Sequence, residues 1–155
     1  MQKVNIYTDG ASKGNPGPGG FGTIIEFQTN TVELSKGYNR TTNNRMELMG
    51  AIAGLEYLNS PCQVVITSDS RYLVDAFNKC WVQLWIRNGW KTSSGNAVKN
   101  IDLWKRLLKA MEPHSVRFIW VKGHSGNPKN ERCDWLATSS VNDVELLQDG
   151  GFYDS

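Results

Sequence analysis

Alternation of apolar and polar residues predicts the strands of this chain. Val4 and Ile6 alternate with polar neighbours, which predicts a strand over residues 3–8 that ends at Asp9. Alternating or β-branched runs predict four more strands, at residues 21–27, 31–38, 63–67 and 115–121. A short polar stretch separates the second strand from the third, so these two are expected to form a hairpin.

Apolar residues at a spacing of three and four predict the helices. Met46, Met49 and Ile52 lie on one face of a first helix, which is expected to end near Pro61. Further helices are predicted at residues 71–88, 100–111 and 128–140. Strands that follow a helix can pair in parallel through right-handed crossovers, whereas the first three strands can form an antiparallel meander. The predicted fold is therefore α/β, a mixed five-stranded sheet with helices on both faces.

Length and composition restrict the class of protein. The chain has 155 residues, which favours one domain, and 39% apolar with 21% charged residues is ordinary for a globular fold. No stretch approaches the roughly 20 apolar residues of a membrane helix. Cys62, Cys80 and Cys133 form no close pair, so neither a disulfide scaffold nor a zinc ribbon is predicted. Reduced thiols favour a cytoplasmic location, and no membrane partner is expected.

Charge is distributed unevenly along the chain. Residues 71–132 contain twelve Lys and Arg against four Asp and Glu, whereas the remainder contains five against eleven. Such an asymmetry indicates a polyanionic partner for the basic part. On charge alone, a surface of paired ions explains it equally well.

The glycine-rich stretch at residues 10–22 invites a phosphate-binding interpretation. Residues 17–22 match the pattern G-x-G-x-x-G. The dinucleotide fingerprint opens a helix, whereas this stretch leads into a predicted strand. A tight connection between strands accounts for the glycines.

Four acidic residues are candidates for chemistry. Asp9 and Asp69 follow neighbouring core strands, Glu47 lies in the predicted first turn of the first helix, and Asp134 lies in the last helix. Each has a local structural alternative: an Asx turn for Asp9, a capping box of Asn44 with Glu47, an N-cap for Asp69 and a solvated charge for Asp134.

Taken together, these carboxylates predict a metal site. The carboxyl ends of adjacent parallel strands bring Asp9 and Asp69 close, and like charges at that distance need cations. Oxygen donors without thiol or imidazole partners suit Mg²⁺ or Mn²⁺. Two such ions about 3.5–4 Å apart would activate a water and stabilise the leaving oxygen of a phosphodiester.

One histidine and a cluster of tryptophans add two further signals. His124 lies between glycines on a predicted loop, which suits a proton carrier, although a solvated loop histidine fits equally well.

Trp81, Trp85 and Trp90 are interleaved with basic residues, which is typical of a surface that stacks on bases and contacts phosphates. The spacing of four between the first two also fits a core face of a helix, and both interpretations are expected to hold in part.

At this point the chain resembles a known family. The residues that carry the resemblance form six motifs in order: Ile6-Tyr-Thr-Asp-Gly10, Gly14-Asn-Pro-Gly-Pro-Gly-Gly20, Thr41-Thr-Asn-Asn-Arg-Met-Glu-Leu48, Thr67-Ser-Asp-Ser70, Trp120-Val-Lys-Gly-His124 and Asn130-Glu-Arg-Cys-Asp134. They are similar to those of bacterial type 1 ribonuclease H, over about residues 3–140.

The resemblance implies a ribonuclease H-like fold and endonucleolytic cleavage of the RNA strand of RNA–DNA hybrids, leaving 5′-phosphate and 3′-hydroxyl ends. It implies two Mg²⁺ ions, replaceable by Mn²⁺, held by Asp9, Glu47, Asp69 and Asp134. For His124 it implies a role in proton transfer or product release. The substrate-binding residues that it implies are Ser12, Asn15, Thr42, Asn43, Asn44, Arg71, Trp81, Trp85, Lys91 and Lys99. Arg71 stands where many members have glutamine.

The same resemblance divides the chain. Residues 1–141 would form the catalytic domain, with a basic protrusion over about residues 81–98. Residues 142–155 are expected to form an acidic, flexible tail. A monomer is expected, and a single-strand DNA-binding protein is a candidate partner.

Two other functions stay open on the residues alone. One is a DNA-cutting enzyme of the same fold, such as a resolvase or integrase core, which the carboxylates alone do not exclude. The asparagine-rich motifs and the basic protrusion argue against it. The other is a catalytically silent hybrid-binding module, against which the four acids argue because phosphate binding would gain from their loss.

Overall fold

The computed structural model of the chain describes residues 1–142 and 145–152. Within this part of the chain, one sheet and five α-helices form in the order predicted. The strands are β1 (Gln2–Ser12), β2 (Gly17–Glu26), β3 (Thr31–Thr41), β4 (Cys62–Ser68) and β5 (Ser115–Trp120). The helices are α1 (Asn43–Tyr57), α2 (Arg71–Asn78), α3 (Trp81–Arg87), α4 (Ile101–Met111) and α5 (Pro128–Ser139), followed by a short 3₁₀ turn at Ser140–Asn142.

The sheet confirms the predicted fold class. Its strand order is β3-β2-β1-β4-β5. The first three strands pair antiparallel, and β4 pairs in parallel with both β1 and β5. This arrangement places the end of β1 beside the end of β4, so that Asp9 and Asp69 follow the paired residues Thr8 and Ser68.

Helices cover both faces of the sheet, and glycines allow two of them to approach closely. A Cβ atom on Gly54 of α1 would lie 3.0 Å from the side chain of Ile6 in β1. On the other face, a Cβ atom on Gly22 of β2 would lie 2.5 Å from the Cβ of Leu136 in α5. The glycines of β2 therefore serve helix packing as well as the connection between strands.

Several element boundaries differ from the sequence prediction. The first strand continues past Asp9 to Ser12, and the second begins within the glycine-rich stretch, at Gly17. The helix predicted over residues 71–88 is two helices, because Cys80 between them has a left-handed backbone with φ of 61°. The apolar periodicity continues across Cys80, so the sequence pattern does not indicate the break between the two helices.

The tail also differs from the flexible segment expected over residues 142–155. In its described part, the backbone of Leu147 pairs with β3: Leu147 N–H donates to Gly37 O and Asn39 N–H donates to Leu147 O, each over 2.9 Å. Asp149 is buried against Arg45. The basic partner of Asp149 lies 104 positions earlier in the sequence, so the composition of the tail does not reveal it.

No helix in residues 1–142 and 145–152 is long and apolar enough to cross a membrane. The cysteines at positions 62, 80 and 133 are free thiols, the first and last of them buried.

Candidate active site

Three of the predicted acids meet at one end of the sheet. Asp9, Glu47 and Asp69 each offer a carboxylate oxygen, and these oxygens lie within 4.8 Å of one another. Asp9 and Glu47 are 5% and 4% exposed, whereas Asp69 is half-buried. The cluster is thus buried on one side and open on the other, as a site that admits a ligand must be.

Direct contact between β1 and α1 holds Asp9 next to Glu47. A Cβ atom on Gly10 would lie 2.9 Å from the Cβ of Met46 and would overlap the backbone that joins Met46 to Glu47. Gly10 N–H donates to Asp9 Oδ1 over 2.9 Å and also to Glu47 Oε1. Only glycine fits at this position, because any side chain would separate the strand from the helix.

Asp69 is placed by the turn between β4 and α2. The N-cap of α2 is Ser70, whose hydroxyl accepts from Leu73 N–H over 3.2 Å, so Asp69 is not the cap. Trp120 Nε1–H donates to the carbonyl of Asp69 over 3.0 Å and fixes its backbone. The carboxylate of Asp69 does not cap the helix and can serve as a metal ligand.

Glu47 likewise makes no capping box with Asn44. The N-cap of α1 is Thr42, whose hydroxyl accepts from Arg45 N–H over 3.2 Å. Because α1 begins at Asn43, Glu47 is its fifth residue and lies in its second turn rather than the first turn predicted from sequence.

Asp134 lies near the cluster but outside the group of three. It is half-buried on α5, the helix that packs on β2 beside β1. Its negative charge contributes to raising the pKa of Asp9, after burial and the charges of Glu47 and Asp69. The structure therefore gives Asp134 a peripheral position at this site.

The charges of the three carboxylates favour binding of a cation. Burial raises the pKa of Asp9 well above its ordinary value, and the charges of Glu47 and Asp69 raise it further. Burial also raises the pKa of Glu47. Carboxylates in this arrangement cannot all be charged unless a cation joins them, and an oxygen-only donor set is the one that Mg²⁺ or Mn²⁺ prefers.

The loop before α5 brings His124 to the open side. A Cβ atom on Gly123 would lie 2.7 Å from Asp69 Oδ2, so the loop passes directly over that carboxylate. His124 follows it with an exposed side chain and a left-handed backbone, φ being 54°. The histidine is thus adjacent to the cluster without being one of the three grouped ligands.

Most of the other predicted substrate-binding residues form two groups. One surrounds the start of α1, where Asn15 Oδ1 accepts from Asn43 N–H over 2.7 Å and from the Ser12 hydroxyl over 3.0 Å. Thr42 and Asn44 lie beside it, and Asn44 lines a cavity of about 790 Å³.

The second group is the basic protrusion, residues 81–98, together with Lys99. Trp81 is 38% exposed, whereas Trp85 packs edge-on against the buried Trp104, with ring centroids 5.2 Å apart. Lys91 and Lys99 are exposed, and Lys99 lines the same cavity as Asn44. Trp85 therefore packs on the core, whereas Trp81 is exposed and its role in stacking on bases stays a prediction.

Arg71 lies apart from both groups. Its guanidinium stacks on the ring of Trp120, 3.9 Å from the ring centroid. Because Trp120 also holds the backbone of Asp69, the stacked arginine lies next to the carboxylate cluster rather than on the protrusion.

Sequence reasoning missed one buried charge beside the site. Arg45 is 2% exposed and forms ion pairs of 2.7 Å with both Asp102 and Asp149. A buried guanidinium requires acidic partners. Asn43 and Asn44, directly before Arg45, are exposed, so no local sequence signal indicates that Arg45 is buried.

Comparison with known proteins agrees with this arrangement. The family model described as RNase H matches residues 1–142. A protein named Ribonuclease H from Lachnoclostridium phytofermentans is 56% identical over 95% of this chain and 97% of its own length. Another of that name, from Alcanivorax borkumensis, is 52% identical over 96% and 97%.

A solved structure shows the same fold. LC9-RNase H1, described as a type 1 RNase H with the type 2 active-site motif, is 34% identical and superposes with a TM-score of 0.82. The match covers all of this chain and 78% of that one. With a family model over nearly its whole length and full-length relatives above 50% identity, the chain belongs to the ribonuclease H family and is a hydrolase of that family.

Proposed function

We propose that this protein is an endonuclease that hydrolyses the RNA strand of RNA–DNA hybrids by two-metal-ion catalysis. The observation that carries the proposal is the convergence of Asp9, Glu47 and Asp69 at the end of the sheet, with their oxygens within 4.8 Å of one another. The proposal also rests on the relatives, which are named Ribonuclease H.

The carboxylates fit a pair of Mg²⁺ ions, which Mn²⁺ would replace. Asp9, Glu47 and Asp69 would be the principal ligands, and Asp134 would complete the set from α5. Bound Mg²⁺ supplies a Lewis acid that activates water and stabilises the leaving oxygen of a phosphodiester. The protein's part is to hold negative oxygens at a fixed place, which the contact between Gly10 and the α1 backbone achieves.

The reaction consumes one water for each bond cut. The water oxygen forms a new bond to phosphorus, the bond from phosphorus to the 3′ oxygen breaks, and that oxygen leaves with a proton. The products carry a 5′-phosphate and a 3′-hydroxyl. His124 is exposed next to Asp69, where an imidazole can carry a proton or assist release of product.

Selectivity for the hybrid would come from shape rather than base sequence. An A-form-like duplex presents 2′-hydroxyls in a wide, shallow minor groove. Side chains around the start of α1, among them Ser12, Asn15 and Thr42, would contact this groove and the backbone. The basic protrusion, with Trp81 and Lys91, would hold the DNA strand by stacking and by attraction to phosphate.

The remaining expectations belong to the same proposal. The catalytic domain would comprise residues 1–141, and the protein would act as a cytoplasmic monomer, the location being supported by its free thiols. A single-strand DNA-binding protein is a candidate partner. Sedimentation of the pure protein tests the monomer.

Cleavage assays on three end-labelled duplexes test the proposal: an RNA–DNA hybrid, duplex RNA and duplex DNA, each with Mg²⁺ or with EDTA. We expect internal cuts in the RNA of the hybrid alone, only with Mg²⁺, and with 3′-hydroxyl ends. Asp9→Asn, prepared identically, controls for contaminating nucleases. Cleavage of duplex DNA would favour a resolvase-like enzyme, and tight hybrid binding without cleavage would favour a silent binding module.

A further inference from the structure

The C-terminal segment, residues 145–152, lies against the side of the molecule that carries the first group of predicted substrate contacts. Leu147 extends the edge of β3 through two backbone hydrogen bonds of 2.9 Å. Gly151 and Phe152 then line the cavity of about 790 Å³ that Asn44 and Lys99 also line. The segment thus forms one wall of the cavity, whose other walls come from the loop between β1 and β2, the start of α1, the end of the basic protrusion and the start of α4.

Asp149 connects this segment to the interior. Its side chain is 7% exposed, and it accepts from Arg45 Nε–H over 2.7 Å, from Arg45 Nη2–H over 3.0 Å and from the Thr41 hydroxyl over 2.7 Å. Two of the three donations come from a charged group, which makes them stronger than bonds between neutral groups.

Arg45 extends the connection to two more segments. It directly follows Thr42–Asn44 at the start of α1. Its other edge donates to both oxygens of Asp102 in α4, over 2.9 and 2.7 Å, and to Asn100 Oδ1 over 3.3 Å. One buried guanidinium therefore fixes the start of α1 relative to the residues where the protrusion rejoins the domain.

We propose that Asp149 is a positioning residue for hybrid binding: through Arg45 it holds the first turn of α1 and the Lys99–Asn100 corner at the separation that a hybrid requires. This inference rests on the proposed function, because it assigns a role to Asp149 within the binding of that substrate. Asp149 touches neither the substrate nor the carboxylate cluster.

Burial makes this role specific to Asp149. The side chain of Asp102 is 44% exposed, so water can replace some of the hydrogen bonds that Asp102 accepts from Arg45. The side chain of Asp149 is nearly inaccessible to water. Without Asp149, buried N–H groups of Arg45 lose their acceptor, and the helix start must shift to hydrate them. Gly10 N–H holds both Asp9 and Glu47, and Trp120 holds Asp69, so the chemical step is expected to stay intact.

The experiment compares steady-state cleavage of the hybrid by wild type, Asp149→Asn and Glu145→Gln at a temperature where circular dichroism shows all of them folded. Glu145 is exposed on the same segment, so its variant removes an equal charge without touching Arg45. The same substitution of Asp149 is also made in an Asn44→Ala background. Thr41→Val, which removes one donor to Asp149, serves as a second variant if Asp149→Asn does not fold.

We expect Asp149→Asn to raise KM about three- to tenfold with kcat within twofold of wild type, and Glu145→Gln to change neither. In the Asn44→Ala background the increase should be smaller, because one of the interactions that Asp149 positions is already absent. A merely stabilising role would lower the melting temperature and leave KM unchanged.

Unchanged KM in Asp149→Asn, or an equal increase in the Asn44→Ala background, would overturn the inference. A wild-type protein that does not cleave the hybrid would instead overturn the proposed function, and the two failures are thereby distinguished.

Discussion

Asp9 and Glu47 lie on β1 and α1, whose backbones are in contact, and Asp69 lies in the turn between β4 and α2. The cations of the basic protrusion lie on the short helix α3 and in the segment that follows it. The cluster is fixed by glycine at position 10 and by hydrogen bonds from backbone and indole groups. The protrusion contains Trp90 with a left-handed backbone, φ being 62°, and attaches to the core through the buried Val82 and Val98 and through packing of Trp85 on Trp104.

This difference matches two physical demands. Chemistry requires ligand oxygens held to a fraction of an ångström, which rigid elements provide. Attraction between cations and phosphates acts over longer distances and tolerates movement of flexible side chains. We therefore expect cleavage and binding to be separable by substitution.

The largest expected effect is that of Asp69→Asn. The substitution removes a metal ligand but no phosphate donor, so Mg²⁺-dependent cleavage should fall by at least about a hundredfold while hybrid affinity stays near wild type. Glu112→Gln, an exposed charge just before β5 at the other end of the sheet, is the matched control. A variant that still cuts at a comparable rate would refute the two-metal assignment.

His124→Ala should have a smaller effect. The carboxylates still assemble without the imidazole, so activity is expected to fall by about ten- to a hundredfold and remain measurable. The measurement is kcat at saturating hybrid across pH. Loss as complete as with Asp69→Asn would make His124 a direct ligand or a structural residue.

Substitution of Lys91 and Lys99 should change hybrid affinity by a smaller factor than His124→Ala changes activity. Arg106, a nearby cation on α4, is not substituted, because its guanidinium already pairs with both oxygens of Glu56 over 2.9 and 2.7 Å. The double variant Lys91→Gln with Lys99→Gln should reduce the slope of log affinity against log salt by about 0.7–0.9 for each phosphate that is no longer neutralised by a lysine.

A matched double variant, Lys3→Gln with Lys109→Gln, removes two exposed charges outside the protrusion. Hybrid affinity is measured for both variants at several salt concentrations. An unchanged slope in the first variant, or an equal change in the second, would show that the protrusion does not contact the backbone.

The smallest expected effect is that of pH on the stability of the metal-free protein. Burial raises the pKa of Asp9 and Glu47, so the folded protein binds more protons than the unfolded chain above about pH 4. In EDTA the contribution of these two groups to the free energy of unfolding should be complete below that pH and should fall as pH rises toward the raised pKa values. Urea titrations in EDTA at pH 5 and pH 8 measure the fall.

Asp9→Asn should flatten this dependence because it removes the group whose pKa burial and the neighbouring carboxylates raise most. Saturating Mg²⁺ should flatten it as well, because the cation replaces the protons. A stability that rises between pH 5 and pH 8 in EDTA would contradict the electrostatic description of the cluster.

Periodicity and local chemistry were sufficient to predict the regular elements. The last helix was predicted over residues 128–140 and is found at Pro128–Ser139, because Pro128 at its start and the Asn127 cap are local signals. The meeting of Asp9 with Asp69 followed from strand order alone, since parallel neighbours end at the same edge.

Features that depend on contacts distant in sequence could not be predicted. The left-handed residue Cys80 has no sequence signal, since neither its type nor its neighbours favour that conformation. Asp149 is buried only because Arg45, 104 positions earlier, needs an acceptor. The role of Gly10 likewise becomes visible only when α1 lies on β1.

The most direct test of the separation between chemistry and binding is the single-turnover cleavage rate at saturating hybrid for the double variant Lys91→Gln with Lys99→Gln. We predict a rate within about twofold of wild type while the hybrid concentration needed for saturation rises, because an interaction made equally in the bound and transition states changes binding alone. A rate that falls in parallel with affinity would contradict this and show that the protrusion helps to align the scissile phosphate on the carboxylates.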